Sequence, residues 1–314
     1  MPVAEPTRDH PASTWLRYIG ATRPGFLAAS LVPALLGLST AHYDGVPLNI
    51  VTAVLTMVGA VIAHAGVNVL NDYYDALNGT DAINTERLYP FTGGSRFIQN
   101  GVFTPAQIAR YGTVLLAVAA VIGLALVAAA GPALLLIGAF GLFIGWAYSA
   151  PPLHLNSRGL GELCVAIGFG ILIPLGSDAV QRGALSALPV WAGVPYALLV
   201  ANILYANQFP DRRADAASGK RHWVVRLRPE HARWGYAALA AAAYGVLVAM
   251  VVGGALPRLS LLAAAPAALS ALAARDVWAY AATPARLRPA IKLTLAAAFL
   301  NGLLLAAAFV IAAA

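Results

Sequence analysis

Asn68-Val69-Leu70-Asn71-Asp72-Tyr73-Tyr74-Asp75 closes an apolar run that begins near residue 50. If the run is a membrane helix, Asn68, Asp72 and Asp75 lie about one turn apart and project from one face, a stripe of oxygen donors at the helix end. Carboxylates beside hydrocarbon repel one another and are costly, so they persist where they face a bundle interior and meet a cation. A divalent metal is the simplest guest, and a solvated acidic helix end is the bland alternative. A second cluster weakens that alternative. Asn207-Gln208-Phe209-Pro210-Asp211-Arg212-Arg213-Ala214-Asp215 ends another long apolar run with the same order of Asn, Asp and Asp. Two oxygen-rich helix ends facing each other suit Mg²⁺, which binds a few carboxylates and leaves its other positions to water and phosphate. The guest that these residues suggest is a magnesium diphosphate.

Around these clusters the composition is that of a membrane protein. Of 314 residues, 60% are hydrophobic and 11% charged, where a soluble domain carries about a quarter charged residues. The expected fold class is all-α, a polytopic protein forming a single membrane-embedded domain over residues 1–314. Apolar stretches predict nine spans, at about 24–43, 50–71, 107–129, 132–150, 160–177, 188–209, 233–254, 258–274 and 292–312. Residues 1–22 are polar, with Arg8, Asp9, His10 and Arg17, and read as a short tail rather than a signal peptide. With the N-terminus cytoplasmic, all but Arg182 and Arg258 of the 20 Lys and Arg residues fall on inside segments, and the C-terminus lies outside. Both acidic clusters then share the cytoplasmic face of a cell (inner) membrane.

The net charge of +7 follows from that topology and from anionic lipid, so it does not argue for nucleic acid, for which no motif is visible. The single cysteine, Cys164, excludes an intrachain disulfide and a Cys-based metal site. Two inside connections, about 72–106 and 210–232, exceed what topology requires and read as active-site loops. The first carries Asp81, Thr92-Gly93-Gly94-Ser95-Arg96 and Gln99-Asn100; the second carries Gly219-Lys220-Arg221. Lysine and arginine following metal carboxylates suit phosphate oxygens that the metal leaves uncovered. A third connection, Tyr148-Ser149-Ala150-Pro151-Pro152 to Arg158-Gly159-Leu160-Gly161-Glu162, is stiffened by its prolines.

An isoprenoid diphosphate fits such a layout, because its tail dissolves in the bilayer while its chemistry stays at one membrane face. Ionising an allylic carbon–oxygen bond places negative charge on diphosphate and positive charge on carbon. The clusters with Lys220 meet the first, and aromatic faces such as Tyr73, Tyr148 or Tyr205 meet the second.

Asn71-Asp72-Tyr73-Tyr74-Asp75-x3-Gly79-x-Asp81 with Gly93-Gly94-Ser95 resembles the first aspartate motif of the UbiA superfamily of intramembrane prenyltransferases. Asp211-x3-Asp215-x3-Gly219-Lys220-Arg221 with Val224-Val225-Arg226-Leu227 resembles its second. Arg23-Pro24 and the Tyr148 loop also look like family features, and the likeness covers about residues 15–230. It implies nine helices, a lateral opening to lipid, and magnesium-dependent transfer of a polyprenyl group from an allylic diphosphate to an aromatic acceptor. By position, Asn68, Asp72, Asp75, Asp211 and Asp215 would hold the metal, with Lys220 on the phosphates. The first motif most resembles the 1,4-dihydroxy-2-naphthoate polyprenyltransferases of menaquinone synthesis, although His222-Trp223 and Leu227-Arg228-Pro229 depart from that branch.

Further substrate contacts are expected from Asn71, Asp81, Arg96, Tyr148, Asn207, Arg221, Arg23 and His64. For Arg23 an interfacial anchor, and for His64 a packed neutral imidazole, are the structural alternatives. Asp178 reads as a loop residue near the outside. Acceptors other than dihydroxynaphthoate, such as 4-hydroxybenzoate or homogentisate, fit the same chemistry. A transporter with intramembrane acids is the rival class, though it would place them near the midplane.

Overall fold

The structure, a computed structural model, describes residues 4–8 and 13–314. Its described residues form thirteen α-helices: α1 Thr14–Ala21, α2 Ala28–Tyr43, α3 Ile50–Leu77, α4 Thr80–Ile83, α5 Pro105–Ala130, α6 Ala133–Ser149, α7 Gly161–Val165, α8 Ile173–Arg182, α9 Leu188–Ala217, α10 Trp223–Arg226, α11 Pro229–Val252, α12 Ala267–Tyr280 and α13 Arg288–Ala313. Local chemistry sets several boundaries. Asn49 accepts a hydrogen bond from the Thr52 N–H to start α3, and Thr104 with Gln107 forms a capping box ahead of Pro105. At φ 98°, Gly131 turns the chain between α5 and α6.

Among the described residues, eight helical segments are long and apolar enough to cross a membrane. The expected fourth span, α6, is apolar but only 17 residues long, about 25 Å against a hydrocarbon core of about 30 Å. The remaining predicted spans coincide with these eight, the eighth of the nine predicted spans comprising a 3-10 stretch, Arg258–Ala264, followed by α12.

Both acidic clusters end helices, as their spacing predicts, and the loops expected at 72–106 and 210–232 begin a few residues later than expected. The α3 helix continues through Asp72 and Asp75 to Leu77, and α9 continues through Asp211 and Asp215 to Ala217. Their side chains find partners across the bundle, so the backbone keeps its helical bonds past the apolar run.

The most extensive contacts are α3 on α5, α2 on α13 and α8, and α9 on α11. Between α7 and α8, residues Ala166–Leu172 form a π-helical stretch, a wider turn that often marks functional sites. It packs against α9 without room for side chains, since a Cβ on Gly193 would lie 1.8 Å from the Gly170 carbonyl oxygen. This close approach places Gly168, Phe169 and Leu172 on the wall of the central cavity.

Candidate active site

At one end of the bundle the last turns of α3 and α9 meet through Lys220. Its Nζ lies 2.9 Å from Asp75 Oδ1 and 3.0 Å from Asp215 Oδ1, joining the two clusters by one cation. Burial by itself would lower the lysine pKa, but the two carboxylates outweigh it and hold the ammonium well above its ordinary value. Asp215 also accepts from His222 Nε2 at 2.9 Å, and His222 is 2% exposed with Nδ1 unpartnered. Asn71 donates to Asp75 Oδ2 at 3.3 Å and to Ser149 Oγ at 2.9 Å, tying α3 to the end of α6.

The loop after α3 folds back across this end. Asn84 Nδ2 donates to Asp211 Oδ1 at 2.6 Å, the Gly93 N–H donates to Asp211 Oδ2 at 3.3 Å, and the Ser95 N–H donates to Asp72 Oδ2 at 3.1 Å. Gly94 has φ +72°, and a Cβ there would lie 2.3 Å from Asp81 Oδ2, so only glycine lets the loop pass. Asp81 is pushed well above the usual carboxylate range, first by burial and then by the charges of Asp75 and Asp72. Its backbone carbonyl accepts from Arg96 Nη1.

Beneath this polar floor lies a cavity of about 600 Å³. Asn68, Asn71, Asp75, Asp81, Asn207, Asp211, Asp215 and Lys220 line one end, and Thr56, Leu126, Leu134, Ser177 and Val180 the other. The wall between them is almost wholly apolar, with Val67, Leu142, Ile144, Phe169 and Leu172. Arg23 lines the cavity too. It sits at φ 57°, donates from Nη2 to the Phe91 carbonyl at 2.8 Å, stacks on Phe26, and leaves Nε buried without a partner. His64 lines the same wall, its Nδ1 2.7 Å from Ser30 Oγ and its ring against Phe169.

Most residues expected from sequence therefore converge: Asn68, Asn71, Asp75, Asp81, Tyr148, Asn207, Asp211, Asp215, Lys220, Arg23 and His64 all line one cavity. Three stand elsewhere. Arg221 is exposed and away from the lining, its N–H donating to the Ser157 carbonyl at 2.6 Å, because the chain turns after Lys220 to bury His222 instead. Arg96 is buried behind the floor, on the Asp81 carbonyl. Asp72 is buried against Ser95 rather than on the lining. Asp178 is no loop residue: it is fully buried in α8, accepting from Arg182 Nε at 2.7 Å and from Thr40 Oγ1 at 2.9 Å. Sequence reasoning missed His222, Asn84 and Gln208, whose Nε2 donates to Glu162 at 2.9 Å. His222 had one signal, its departure from the resembled motif; the other two had none.

The floor fits a hard divalent cation. Five carboxyl groups, of Asp72, Asp75, Asp81, Asp211 and Asp215, gather there with Lys220. Asp72 Oδ1 and Asn207 Oδ1 are buried and accept no hydrogen bond. Among the described residues no three His, Cys, Asp or Glu side chains form a closed metal nest. A Mg²⁺ ion takes one or two carboxylates and completes its shell with water and phosphate.

A bundle of apolar helices thus encloses an apolar chamber capped at one end by paired aspartates, the layout of an intramembrane site. The profile of the UbiA prenyltransferase family matches residues 30–303, and the chain belongs to that family. It is thus a prenyl-transferring enzyme. A Mycobacterium leprae protein named 1,4-dihydroxy-2-naphthoate octaprenyltransferase is 29% identical over 242 residues, 76% of this chain and 78% of its own. The Mycobacterium tuberculosis protein of the same name is 30% identical, over 75% of this chain and 77% of its own. Among solved structures, a UbiA homolog from Aeropyrum pernix K1 superposes with TM-score 0.64 at 23% identity, covering 88% of this chain and 95% of that one. A UbiA homolog from Archaeoglobus fulgidus bound to DMAPP and Mg²⁺ has TM-score 0.60 at 16% identity, over 90% and 98%.

Proposed function

We propose that the protein transfers a polyprenyl group from an allylic polyprenyl diphosphate to 1,4-dihydroxy-2-naphthoate, with Mg²⁺, in menaquinone biosynthesis. The observation that carries the reading is one cavity that joins two aspartate clusters to an apolar chamber crossing the bundle. The names of the mycobacterial relatives support the acceptor, and the Mg²⁺ and DMAPP bound by the Archaeoglobus homolog support the metal and the donor class. The topology that accompanies the reading is nine crossings of the cell membrane in a single domain, with the N-terminus and the active site on the cytoplasmic face and the C-terminus outside.

In this reaction the allylic carbon–oxygen bond breaks, an acceptor ring carbon bonds to the prenyl carbon, and diphosphate leaves; by resemblance to the naphthoate branch, the acceptor carboxylate is lost as CO₂. Asn68, Asp72, Asp75, Asp211 and Asp215 would hold magnesium, whose charge, when bound, offsets that of the leaving diphosphate. Lys220 supplies a fixed cation between the clusters. Asn207 and Asp81 complete the polar floor around the head group. Arg23, with an unpartnered Nε beside the apolar wall, matches an acceptor carboxylate, and His64 borders the same space. The Tyr148 ring lines the cavity near Asn156 and suits an allylic cation. The apolar walls exclude water that would otherwise capture that cation.

Detergent-purified protein given Mg²⁺, a polyprenyl diphosphate and a pool of dihydroxynaphthoate, 4-hydroxybenzoate and homogentisate provides the test, read by mass spectrometry of the lipid products. A prenylated naphthol lacking the carboxylate supports the proposal. An adduct of another acceptor keeps the chemistry and moves the acceptor; no adduct from folded protein sinks the reading.

A further inference from the structure

The polar segment ahead of α1 is tied into the site. Glu5 Oε1 accepts from Arg87 Nε at 2.7 Å, and Glu5 Oε2 accepts from Asn100 Nδ2 at 3.3 Å and lies 3.7 Å from Arg96 Nε. Asn100 also donates to the Pro6 carbonyl at 2.8 Å, Arg8 donates to the Gly101 carbonyl, and Arg17 Nη2 donates to the Arg8 carbonyl at 3.0 Å. Residues 5–8 thus lie strapped along the loop that closes the polar end of the cavity. The family match begins at residue 30, so this strap lies outside it.

Each arginine held by Glu5 has a second partner. Arg87 Nη1 donates to the Asn84 carbonyl at 2.6 Å, and the Asn84 side chain in turn donates to Asp211. Arg96 donates to the carbonyl of Asp81, whose carboxylate lines the cavity. One carboxylate therefore engages both guanidinium groups that brace the floor, one toward the α9 cluster and one toward Asp81. The hydrogen bonds that Glu5 receives from Arg87 and Asn100, with the charges of Arg87 and Arg96, outweigh its partial burial and hold its pKa below the ordinary value, so it is ionised at neutral pH.

We propose that Glu5 is a positioning residue for the prenyl transfer: acting through Arg87 and Arg96, it holds the 81–101 loop closed over the diphosphate end of the cavity. The inference rests on the reaction proposed above. A loosened loop weakens diphosphate binding and admits water to the allylic carbon. Water then adds to that carbon as the carbon–oxygen bond breaks, giving prenyl alcohol and diphosphate, with the proton released to solvent.

The test compares the full chain with Glu5→Gln and Glu5→Asp, each verified as folded by helical circular dichroism and size-exclusion chromatography. Glu5→Gln is expected to raise KM for the polyprenyl diphosphate about tenfold, the scale of one charge-assisted hydrogen bond, and to raise the ratio of prenyl alcohol to prenylated acceptor. Glu5→Asp should recover part of both, which a merely stabilising contact would not alter together. Amide hydrogen exchange over residues 84–101, measured without substrate, should be faster in Glu5→Gln than in the parent chain. An unchanged exchange rate overturns the brace whether or not the parent turns over. Unchanged KM and product ratio in an active parent overturn its role in the reaction. An inactive parent sinks the proposed function alone, and the exchange measurement still judges the strap.

Discussion

Lys220 Nζ lies 2.9 Å from Asp75 Oδ1, so a residue three beyond the end of α9 is ion-paired to the last turns of α3. The same ammonium reaches Asp215, and the pair of aspartates would face each other without it. Removing one partner of a buried ion pair costs about 3–5 kcal/mol, because the remaining charge loses its compensation. Lys220→Gln should therefore lower the thermal midpoint measured in metal-free buffer. Adding Mg²⁺ with inorganic diphosphate should restore part of the loss, since the freed carboxylates then bind a cation. A midpoint indifferent to Mg²⁺ would argue against these carboxylates as its ligands.

Asp72 and Asp211 occupy equivalent places in the two clusters but meet different neighbours, Ser95 for the first and Asn84 with Gly93 for the second. Asp72→Asn and Asp211→Asn should each lower kcat/KM by at least about 10²-fold, the scale of removing one group that stabilises developing charge. The check is single-substrate kinetics at saturating Mg²⁺. If both variants keep full magnesium-dependent transfer, the two-cluster mechanism is wrong.

In the proposed reaction Arg23 would discriminate between acceptors. It reaches the cavity from a left-handed backbone position, which costs energy in a residue with a Cβ, and it stacks on Phe26 with one guanidinium nitrogen unpartnered. Arg23→Ala should raise KM for a carboxylated acceptor about tenfold or more and leave KM for the prenyl diphosphate nearly unchanged. Equal rises for both substrates would return Arg23 to the role of interfacial anchor.

The pH dependence of the strap has a definite sign. Glu5 has a folded pKa below its ordinary value of 4.5, because the Arg87 and Asn100 hydrogen bonds and the Arg87 and Arg96 charges outweigh desolvation. A lowered acid contributes fully above its unfolded value and loses that contribution as pH falls through the folded value. The difference in hydrogen-exchange protection of residues 84–101 between the parent chain and Glu5→Gln should hold constant from neutral pH down to about 5. It should close below 4.5. A difference that closes already at pH 6 would point to another titrating group.

How much of this was legible in sequence follows from the range of each interaction. The spans and both acidic helix ends are periodic and local, so hydropathy and i, i+4 spacing reveal them. The Asn84–Asp211 bond joins residues 127 apart, and Glu5 meets Arg87 across 82; no local pattern announces either. Asp178 sits near a predicted helix end and reads as solvated, yet Thr40 and Arg182 from two helices seal it inside. Arg221 misleads for the opposite reason: adjacent to Lys220 in sequence, it is turned outward by its backbone bond to Ser157. Adjacency in a loop says little about direction, whereas spacing along a helix fixes it. The short α6 shows a further limit, since an apolar run identifies a membrane segment better than it fixes where the helix begins and ends.

The contact between the π-helical stretch and α9 makes a last prediction about both stability and specificity. A Cβ on Gly193 would lie 1.8 Å from the Gly170 carbonyl oxygen, and one on Gly170 would lie 2.1 Å from the Ala197 Cβ. Neither obstacle is a flexible side chain, so Gly193→Ala or Gly170→Ala must push two helices apart. Overpacking of this kind costs about 1–3 kcal/mol or more. Gly245→Ala is the control, because a Cβ there meets nothing within 4 Å and alanine favours an α-helix over glycine. The first two variants should melt below the parent chain and the control at or above it. The displaced stretch carries Gly168, Phe169 and Leu172, which form part of the apolar wall. Moving that wall reshapes the chamber proposed to take the prenyl tail, so the relative rates with diphosphates of different chain length should shift in Gly193→Ala and stay fixed in Gly245→Ala. Competition among a mixture of donors, read by mass spectrometry, measures this directly. A destabilised Gly193→Ala that keeps the parental length preference would separate the packing of α9 from the selection of substrate.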